Sequence, residues 1–541
     1  MLSLRRRALL AAAVAVPTLV GGWALQERST RDGARLFDQV LTIVADRFVD
    51  TVDTAALYQK AAMGLVEQLD DPYSELFTPQ QSRRFSTNST GRYGGIGMSI
   101  EKQAENVVVV RVFPNTPAER AGVVEGDRII GVDTASARDW STDQVSTALT
   151  GTPGTKVRVR FARPGVPQPI DHVLTRAIIN VPAVLYAMLL DGGVGYVFLQ
   201  QFNENASDEL SAAIDRLSKR GAKGIILDLR WNPGGILDQS LSVSNLFLKD
   251  GQEIASVRAR QGKVQRFMTQ RGQHYGTLPL VVMVNGGSAS ASEIVAGALQ
   301  DHDRALVVGT TSYGKGLVQS VFPLEGGYSL KLTTAKWFTP SGRSIQNDRD
   351  EADPRIASLG GPAAAPVADE APDSLETEAV KKDRPVFRSD AGRIVYGGGG
   401  ITPDVIVPED TIPTAQQELY RALSPKIGIV RAIEYDMSVE RKGKVTPEVR
   451  ATPEWREEFF SRLTQAGVNV DRRLFDSGAP LIDRWLTNQV LRQSFGDSAA
   501  FRRRVPEDPQ LQRALALLQR GQTQKDLFAL AQAPSDAPRR P

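Results

Sequence analysis

From residue 194 onward, short apolar runs alternate with helix-like segments, and this alternation constrains the fold more than any other feature. The strand-like runs cover residues 194–200, 223–230, 278–285, 304–310 and 327–338. Helical periodicity covers residues 206–221 and roughly 236–247, and a further helix runs to Leu299. Strands and helices in alternation build a layered sheet with helical cover. The sequence therefore predicts a layered α/β domain in this part of the chain.

Bulk composition excludes several classes of function. A chain of 541 residues with 41% hydrophobic and 23% charged residues is an ordinary globular protein with room for several domains. Its 65 basic and 62 acidic residues nearly balance, which gives no reason to expect a nucleic-acid partner. The absence of cysteine excludes disulfides, thiolate metal sites and cysteine nucleophiles.

The first 30 residues have the pattern of an export signal or an N-terminal membrane anchor. Arg5, Arg6 and Arg7 directly precede an apolar run over residues 8–25 that no charged residue interrupts. A basic segment before such a run places the basic end in the cytoplasm. We expect the remainder to be extracytoplasmic, in the periplasm or cell envelope, and tethered to the membrane if residues 8–25 are retained. A buried core helix is the disfavoured alternative.

Residues 31–90 predict a helical region. Phe37, Val40, Leu41, Val44 and Phe48 recur at helical spacing. The region is expected to cover another domain, and its aromatic residues are expected to pack in a core. The acidic residue at position 53 is expected to cap a second helix.

Residues 91–170 read as short strands around two short helices. The segments "YGGIGMSI" (93–100) and "AGVVEGDRIIGVD" (121–133) resemble a PDZ domain, with the family's carboxylate-binding loop at Gly94, Gly95, Ile96 and Gly97. Successive glycines let backbone N–H groups converge on an anion, and the next strand offers an edge to an extended peptide. The alternative is a glycine turn that only reverses the chain.

The segment "NGGSASASEIVAGALQD" (285–301) permits two interpretations of its serines. Ser290 and Glu293 have the spacing of a helix capping box, whereas a serine at a helix N-terminus is also well placed as a nucleophile. His302 lies at the far end of the same helix, about 18 Å away by helix rise. Lys315, in "YGKG", is the better candidate base, because burial of a lysine lowers its pKa. A phosphate-binding loop at 309–316 is disfavoured, because Gly316 replaces its hydroxyl residue.

Four motifs together resemble the C-terminal processing peptidases, or tail-specific serine proteases: "NGGSASASEIVAGALQD", "YGKGLVQ", "LDLRWNPGGILDQ" and "TPSGRSIQ". The resemblance implies that Ser290 is the nucleophile, Lys315 the general base and Gln319 the residue that orients the lysine. It also implies oxyanion donors at Gly234 or Gly235 and at Ala291, and a supporting role for Asp301.

The same resemblance implies a crotonase/ClpP-like layered α/β protease core with a PDZ domain, an N-terminal helical element and a helical C-terminal extension. It implies no metal and no cofactor. The expected partners are polypeptide substrates with accessible C-termini, and homo-oligomerisation is left open. Trp231 replaces a more usual polar residue in the oxyanion turn, and Thr150 stands where many members carry an arginine that couples the PDZ and protease parts.

Two other functions compete with proteolysis. One is a catalytically silent PDZ scaffold on a protease-like fold, and the other is a ligand carrier or acyl-CoA enzyme on the related crotonase-like fold. The joint presence of the serine, lysine, glutamine and N-P-G-G turn argues against the first. The PDZ-like segment argues against the second.

Together these patterns predict seven segments. They are a signal or anchor (1–30), a helical region (31–90), a PDZ domain (91–170), the serine protease core (171–346), a flexible insertion rich in proline, alanine and acidic residues (347–386), remaining core strands (387–410) and a helical C-terminal region with a disordered tail (411–541). No chemistry could be assigned to the last of these.

Overall fold

The computed structural model describes residues 32–532, except for residues 104, 261, 273 and 411 and the stretch 348–383. The predicted signal or anchor, most of the predicted insertion and the end of the C-terminal tail lie outside the described residues. The chain divides into two compact units, one formed by residues up to Thr78 with Val321–Leu332 and the other by the remainder.

The first unit contains two helices, a short strand and parts of two later strands that overlap Val321–Leu332. Its elements are α1 (32–47), α2 (Thr54–Glu67) and β1 (Glu75–Phe77), and β1 pairs antiparallel with Ser329–Lys331. Asp53 caps α2 by accepting the N–H of Ala55 at 2.9 Å, which confirms the predicted cap. The expected core packing holds for Tyr73 and Phe77, which are 7% and 6% exposed, but is wrong for Phe37 and Phe48, which are 44% and 57% exposed.

The PDZ-like part of the second unit is an antiparallel sheet with strand order β3-β4-β5-β7-β8 around its own apolar core. Its elements are α3 (Pro79–Thr90), β2 (Arg92–Gly95), β3 (Met98–Gln103), β4 (Asn106–Val112), α4 (Pro117–Arg120), β5 (Arg128–Val132), β6 (Ala135–Ser136), α5 (Thr142–Leu149), β7 (Lys156–Ala162), β8 (Ile170–Thr175) and β9 (Ala177–Asn180). Strand β3 forms one edge of this sheet, and β2 and β9 pair separately as a two-stranded ribbon.

The protease-like part is built on a six-stranded sheet of order β10-β11-β12-β15-β16-β21, in which only the β10–β11 pair is antiparallel. Its elements are β10 (Val184–Leu190), β11 (Val194–Leu199), α6 (Ala206–Lys219), β12 (Gly224–Asp228), α7 (Leu237–Asn245), β13 (Glu253–Ala259), β14 (Val264–Met268), β15 (Leu280–Val284), α8 (Ala291–Asp301), β16 (Leu306–Gly309), β17 (Leu317–Pro323), β18 (Ser329–Phe338), β19 (Val386–Arg388), β20 (Ile394–Tyr396) and β21 (Val405–Ile406). Helices α6, α7 and α8 cover one face of the sheet.

The C-terminal region is helical, as expected. Its helices are α9 (Thr414–Leu423), α10 (Ile427–Arg441), α11 (Pro453–Gln465), α12 (Arg472–Ser477), α13 (Ala479–Phe495), α14 (Asp497–Arg504), α15 (Pro509–Arg520) and α16 (Gln524–Gln532). Helices α15 and α16 bury their leucines against the second face of the six-stranded sheet. Parallel strands are apolar on both faces and need cover on both. The last helices therefore complete the layered α/β core.

Two sets of strands escaped the sequence analysis. They are β8, β9 and β10, and the hairpin β13–β14. Strands β8, β9 and β14 are exposed or half-exposed over much of their length, so they lack clear apolar runs, whereas β10 is a continuous apolar run that was not recognised as a strand. Within the stretches that the structure describes, no helix is both long and apolar enough to cross a membrane.

Candidate active site

The segment with three serines forms the turn from β15 into α8. Ser288 and Ser292 are fully buried, and their hydroxyls donate to backbone carbonyls at 2.8 and 2.9 Å. Ser290 is half-buried at the helix N-cap with φ 54° and ψ −111°, a backbone conformation that residues other than glycine rarely adopt. Two serines thus build the turn, and the strained residue between them is the one of the three that is not fully buried.

Glu293 joins two segments: the serine turn, residues 285–290, and the lysine loop, residues 310–316. This fully buried carboxylate accepts the backbone N–H of Ser290 at 2.7 Å and that of Lys315 at 2.9 Å, both on Oε2. Its other oxygen accepts the Ser312 hydroxyl at 2.5 Å and the Gly314 N–H at 2.6 Å. Burial raises the pKa of Glu293, and these hydrogen bonds oppose the rise. One carboxylate oxygen therefore holds the serine and lysine backbones side by side.

Only one of the four groups that donate to Glu293 could be predicted from the sequence. The capping-box spacing pointed to the Ser290 N–H, whereas the donors from 312–315 follow Glu293 by about 20 residues and meet it only after folding.

Lys315 is 1% exposed, and hydrogen bonds from Trp337 and Gln346 hold the backbone around it. The indole N–H of Trp337 donates to the Lys315 carbonyl at 2.9 Å, and the Trp337 backbone N–H donates to the Gly316 carbonyl at 2.9 Å. The Gln346 side chain accepts the Gly316 N–H at 2.8 Å. The motifs "YGKG" and "TPSGRSIQ", far apart in sequence, are therefore neighbours in space.

Gln319 lies on β17, four residues after the lysine. Its amide nitrogen is 3.4 Å from the Thr333 hydroxyl on β18, which makes a weak hydrogen bond. The expectation that it orients Lys315 stays a prediction.

The N-P-G-G turn packs directly against the serine turn. The Asn232 side chain accepts the Gly234 N–H at 2.9 Å. A methyl group at Gly234, which has φ +99°, would lie 2.9 Å from the Ala291 backbone nitrogen. The N–H groups of Gly235 and Ala291 have no hydrogen-bond acceptor among the described residues. The geometry thus favours Gly235 over Gly234 as a free donor beside Ala291.

Trp231 has the strained backbone of a turn residue, with φ 60°. Its backbone N–H donates to the Asn285 side chain at 2.9 Å. Its indole ring lies against Gly287, where an added methyl group would be only 2.4 Å from a ring carbon. The unusual tryptophan therefore packs on the turn that carries Ser290.

Asp301 forms a buried ion pair with Arg343. The guanidinium donates to Asp301 at 2.7 Å, and the two side chains are 1% and 0% exposed. The second carboxylate oxygen accepts the Ser341 N–H at 3.0 Å. Burial lowers the pKa of Arg343, and the Asp301 charge opposes that change. The pair fixes the "TPSGRSIQ" segment, which in turn contacts the loop of Lys315.

The four residues expected in the carboxylate-binding loop take different positions. Gly94 and Gly95 belong to β2, Ile96 buries its side chain in the PDZ core, and Gly97 has φ +91° just before β3. Their role in binding a peptide carboxylate stays a prediction.

Helix α5 ends just before Thr150, the position at which the family resemblance leads one to expect an arginine. Here Arg176 reaches the end of that helix and donates to the carbonyls of Ala148 and Leu149 at 2.8 and 3.0 Å. An arginine does contact this position, but it comes from the connection between β8 and β9.

The fold and this arrangement define a serine peptidase core joined to a PDZ domain. Residues 193–356 match the model of peptidase family S41, and residues 86–161 match that of the PDZ domain. The chain is 38% identical over 324 residues to a carboxy-terminal-processing protease of Bartonella bacilliformis, with 59% of this chain and 74% of that protein aligned. It is 35% identical to the carboxy-terminal processing protease CtpA of Bacillus subtilis, with 59% and 69% aligned.

Among solved structures, the photosystem II D1 C-terminal processing protease is 30% identical, with 57% of this chain and 89% of that chain aligned and a TM-score of 0.34. The chain belongs to the carboxy-terminal processing proteases of peptidase family S41, and it is a serine-type endopeptidase with a PDZ domain.

Proposed function

We propose that Ser290 is the nucleophile and Lys315 the general base of this protease. The observation that carries the proposal is the carboxylate of Glu293, which holds the backbone N–H groups of both residues on one oxygen. Lys315 is almost fully removed from water, and desolvation disfavours the ammonium form of a lysine. His302 is not needed, because its ring nitrogens contact Asp390 and a carbonyl at 2.8 and 2.7 Å at the opposite end of α8.

The reaction proceeds by acyl transfer. Neutral Lys315 takes the hydroxyl proton of Ser290 as the serine oxygen attacks the scissile carbonyl. The C–N bond then breaks, Lys315 gives the proton to the leaving amine, and the acyl group remains on Ser290. A water molecule then gives a proton to Lys315 and attacks the ester carbonyl. The C–O bond to Ser290 breaks, Lys315 returns the proton to the serine oxygen, and the new C-terminus is released. Gln319 would limit the rotation of the lysine side chain from β17.

Charge that develops on the carbonyl oxygen is stabilised by the N–H groups of Gly235 and Ala291. Donors that are fixed before reaction stabilise an oxyanion without the cost of reorganisation. Gly234 contributes close packing, because its lack of a side chain lets the turn approach the nucleophile. Asp301 supports the site through Arg343.

Substrates are polypeptides selected by their C-terminal tails. The tail would add a strand to the edge of β3 and place its carboxylate at the loop of Gly94, Gly95, Ile96 and Gly97. We place the enzyme outside the cytoplasm because of the N-terminal arginines and apolar run, which tether it to the membrane if they are retained.

The test uses an unstructured reporter protein with an apolar C-terminal tail. Ser290→Ala, Lys315→Ala and Lys315→Arg should each abolish cleavage, since arginine keeps the charge but cannot act as a base. Lys336→Ala, at an exposed lysine on β18, is the matched control and should cleave normally. Cleavage by either Lys315 variant would disprove the dyad. Tail binding without cleavage by the wild-type protein would instead favour a silent PDZ scaffold.

A further inference from the structure

An arginine at the base of the oxyanion turn is held by the C-terminal helices. Arg230 directly precedes the turn and is 14% exposed at its side chain. Its guanidinium donates to Asp228 on β12 at 2.7 Å and to Asp508 at 2.8 and 3.1 Å. Gln510 accepts a further N–H at 3.0 Å. The Nε–H also donates to Asp228, at 3.0 Å. Each of the five guanidinium N–H groups thus has an acceptor, and two of the three acceptor residues come from the C-terminal region.

Asp508 has a second role beside its ion pair with Arg230. It is the N-cap of α15 and accepts the Leu511 N–H at 2.9 Å. Burial opposes its ionisation, but the adjacent Arg230 outweighs that effect and lowers the pKa of the Asp508 carboxyl. Helix α15 itself is fixed by apolar packing on the sheet. A fork of two hydrogen bonds to a carboxylate on a fixed helix holds the arginine in one orientation.

Three backbone residues connect Arg230 to the glycines of the oxyanion turn, so the position of the arginine affects the position of that turn. Asn232 donates its side chain to a β11 carbonyl at 2.7 Å, and its own carbonyl accepts the N–H of Ala289, the residue before the nucleophile, at 3.0 Å. Gly234 and Gly235 follow at once. A shift of Arg230 would therefore move the proposed oxyanion donors relative to Ser290.

We infer that Asp508 is a positioning residue for catalysis, which acts through Arg230 on the oxyanion turn. The inference rests on the proposed function of that turn. It assigns to the C-terminal region a part in the chemistry, although the match to the protease family ends at residue 356. The alternative is that the ion pair only anchors α15.

The experiment measures kcat and KM of the full chain on a quenched-fluorescence peptide with an apolar tail, together with the thermal midpoint. Asp508→Asn should lower kcat about 10- to 100-fold with KM nearly unchanged, the size of loss expected from slight misplacement of catalytic groups. Asp508→Glu, which keeps the charge, should recover part of the loss. In an Arg230→Gln background, Asp508→Asn should cause no further loss, because the arginine through which it acts is gone.

Asp436→Asn is the matched control. Asp436 also lies in the C-terminal helices and accepts two hydrogen bonds from one arginine, at 2.9 and 3.0 Å, but that arginine is Arg128 of the PDZ sheet. Its kcat should equal that of the wild type. A normal kcat per folded molecule for Asp508→Asn, whatever its thermal midpoint, would overturn the inference, and so would additive losses with Arg230→Gln. If Ser290→Ala retained activity, the proposed function would fail instead.

Discussion

Replacement of Glu293 by glutamine tests whether one carboxylate aligns the nucleophile and the base. Glutamine has the same shape but only one acceptor oxygen. If that oxygen stays on Ser290 and Lys315, the new NH2 group faces Gly314, whose N–H donates to the wild-type carboxylate at 2.6 Å. The Ser312 hydroxyl can turn to accept, whereas the Gly314 N–H cannot. The lysine loop must then shift or leave a buried donor unsatisfied.

The expected size follows from the number of hydrogen bonds lost. One hydrogen bond to a charged group is worth about 1.5–3 kcal/mol. The neutral amide is cheaper to bury than the carboxylate, whose pKa is raised by burial, so the net loss of stability should be near the lower end. Glu293→Ala leaves all four buried donors without an acceptor, at a cost of about 1–3 kcal/mol each. That sum is comparable to the whole stability of a domain, so this variant should not fold normally.

Urea unfolding and peptide cleavage measure the two consequences separately. Glu293→Gln should lose about 1.5 kcal/mol of stability and about 100-fold in kcat, because both loops shift. Glu209→Gln is the matched control, since Glu209 also accepts two backbone N–H groups, at 2.8 and 3.0 Å, but lies on α6 away from the site. A Glu293→Gln enzyme with lowered stability but wild-type kcat would refute the alignment.

Two further substitutions test the packing around the site. Gly234→Ala should lower kcat about 100-fold, because its methyl group would lie 2.7 Å from a carbonyl oxygen of the serine turn; Gly251→Ala, with φ +77° and open space, should leave kcat unchanged in the same peptide assay. Asp301→Ala leaves Arg343 buried without its partner and should cost about 3–5 kcal/mol in urea unfolding. Asp171→Ala removes an exposed partner and should leave the urea midpoint unchanged, and equal midpoints for these last two variants would contradict the assigned role of burial.

Local sequence patterns predicted the elements that carry the site. The alternation of strands and helices indicated the layered core, and motif resemblance singled out Ser290 and Lys315. Contacts between distant segments could not be predicted in this way. The capping-box pattern identified Glu293 as a partner of Ser290 only, since its remaining donors depend on how the lysine loop folds back. Asp508 had no signal at all, because its role depends on the packing of α15 against the sheet.

The pairing of Arg230 with Asp508 spans 278 residues of chain, and this separation bears on how the enzyme is made. Contacts between such distant residues form late, since the intervening chain must first be ordered. A polypeptide that emerges from its N-terminus completes the serine and lysine segments well before α15 exists. When α15 then packs on the sheet, it covers the second face and brings Asp508 to Arg230 at the same time. On the proposed role of Asp508, a nascent copy would therefore cleave below its full rate until α15 has packed on the sheet.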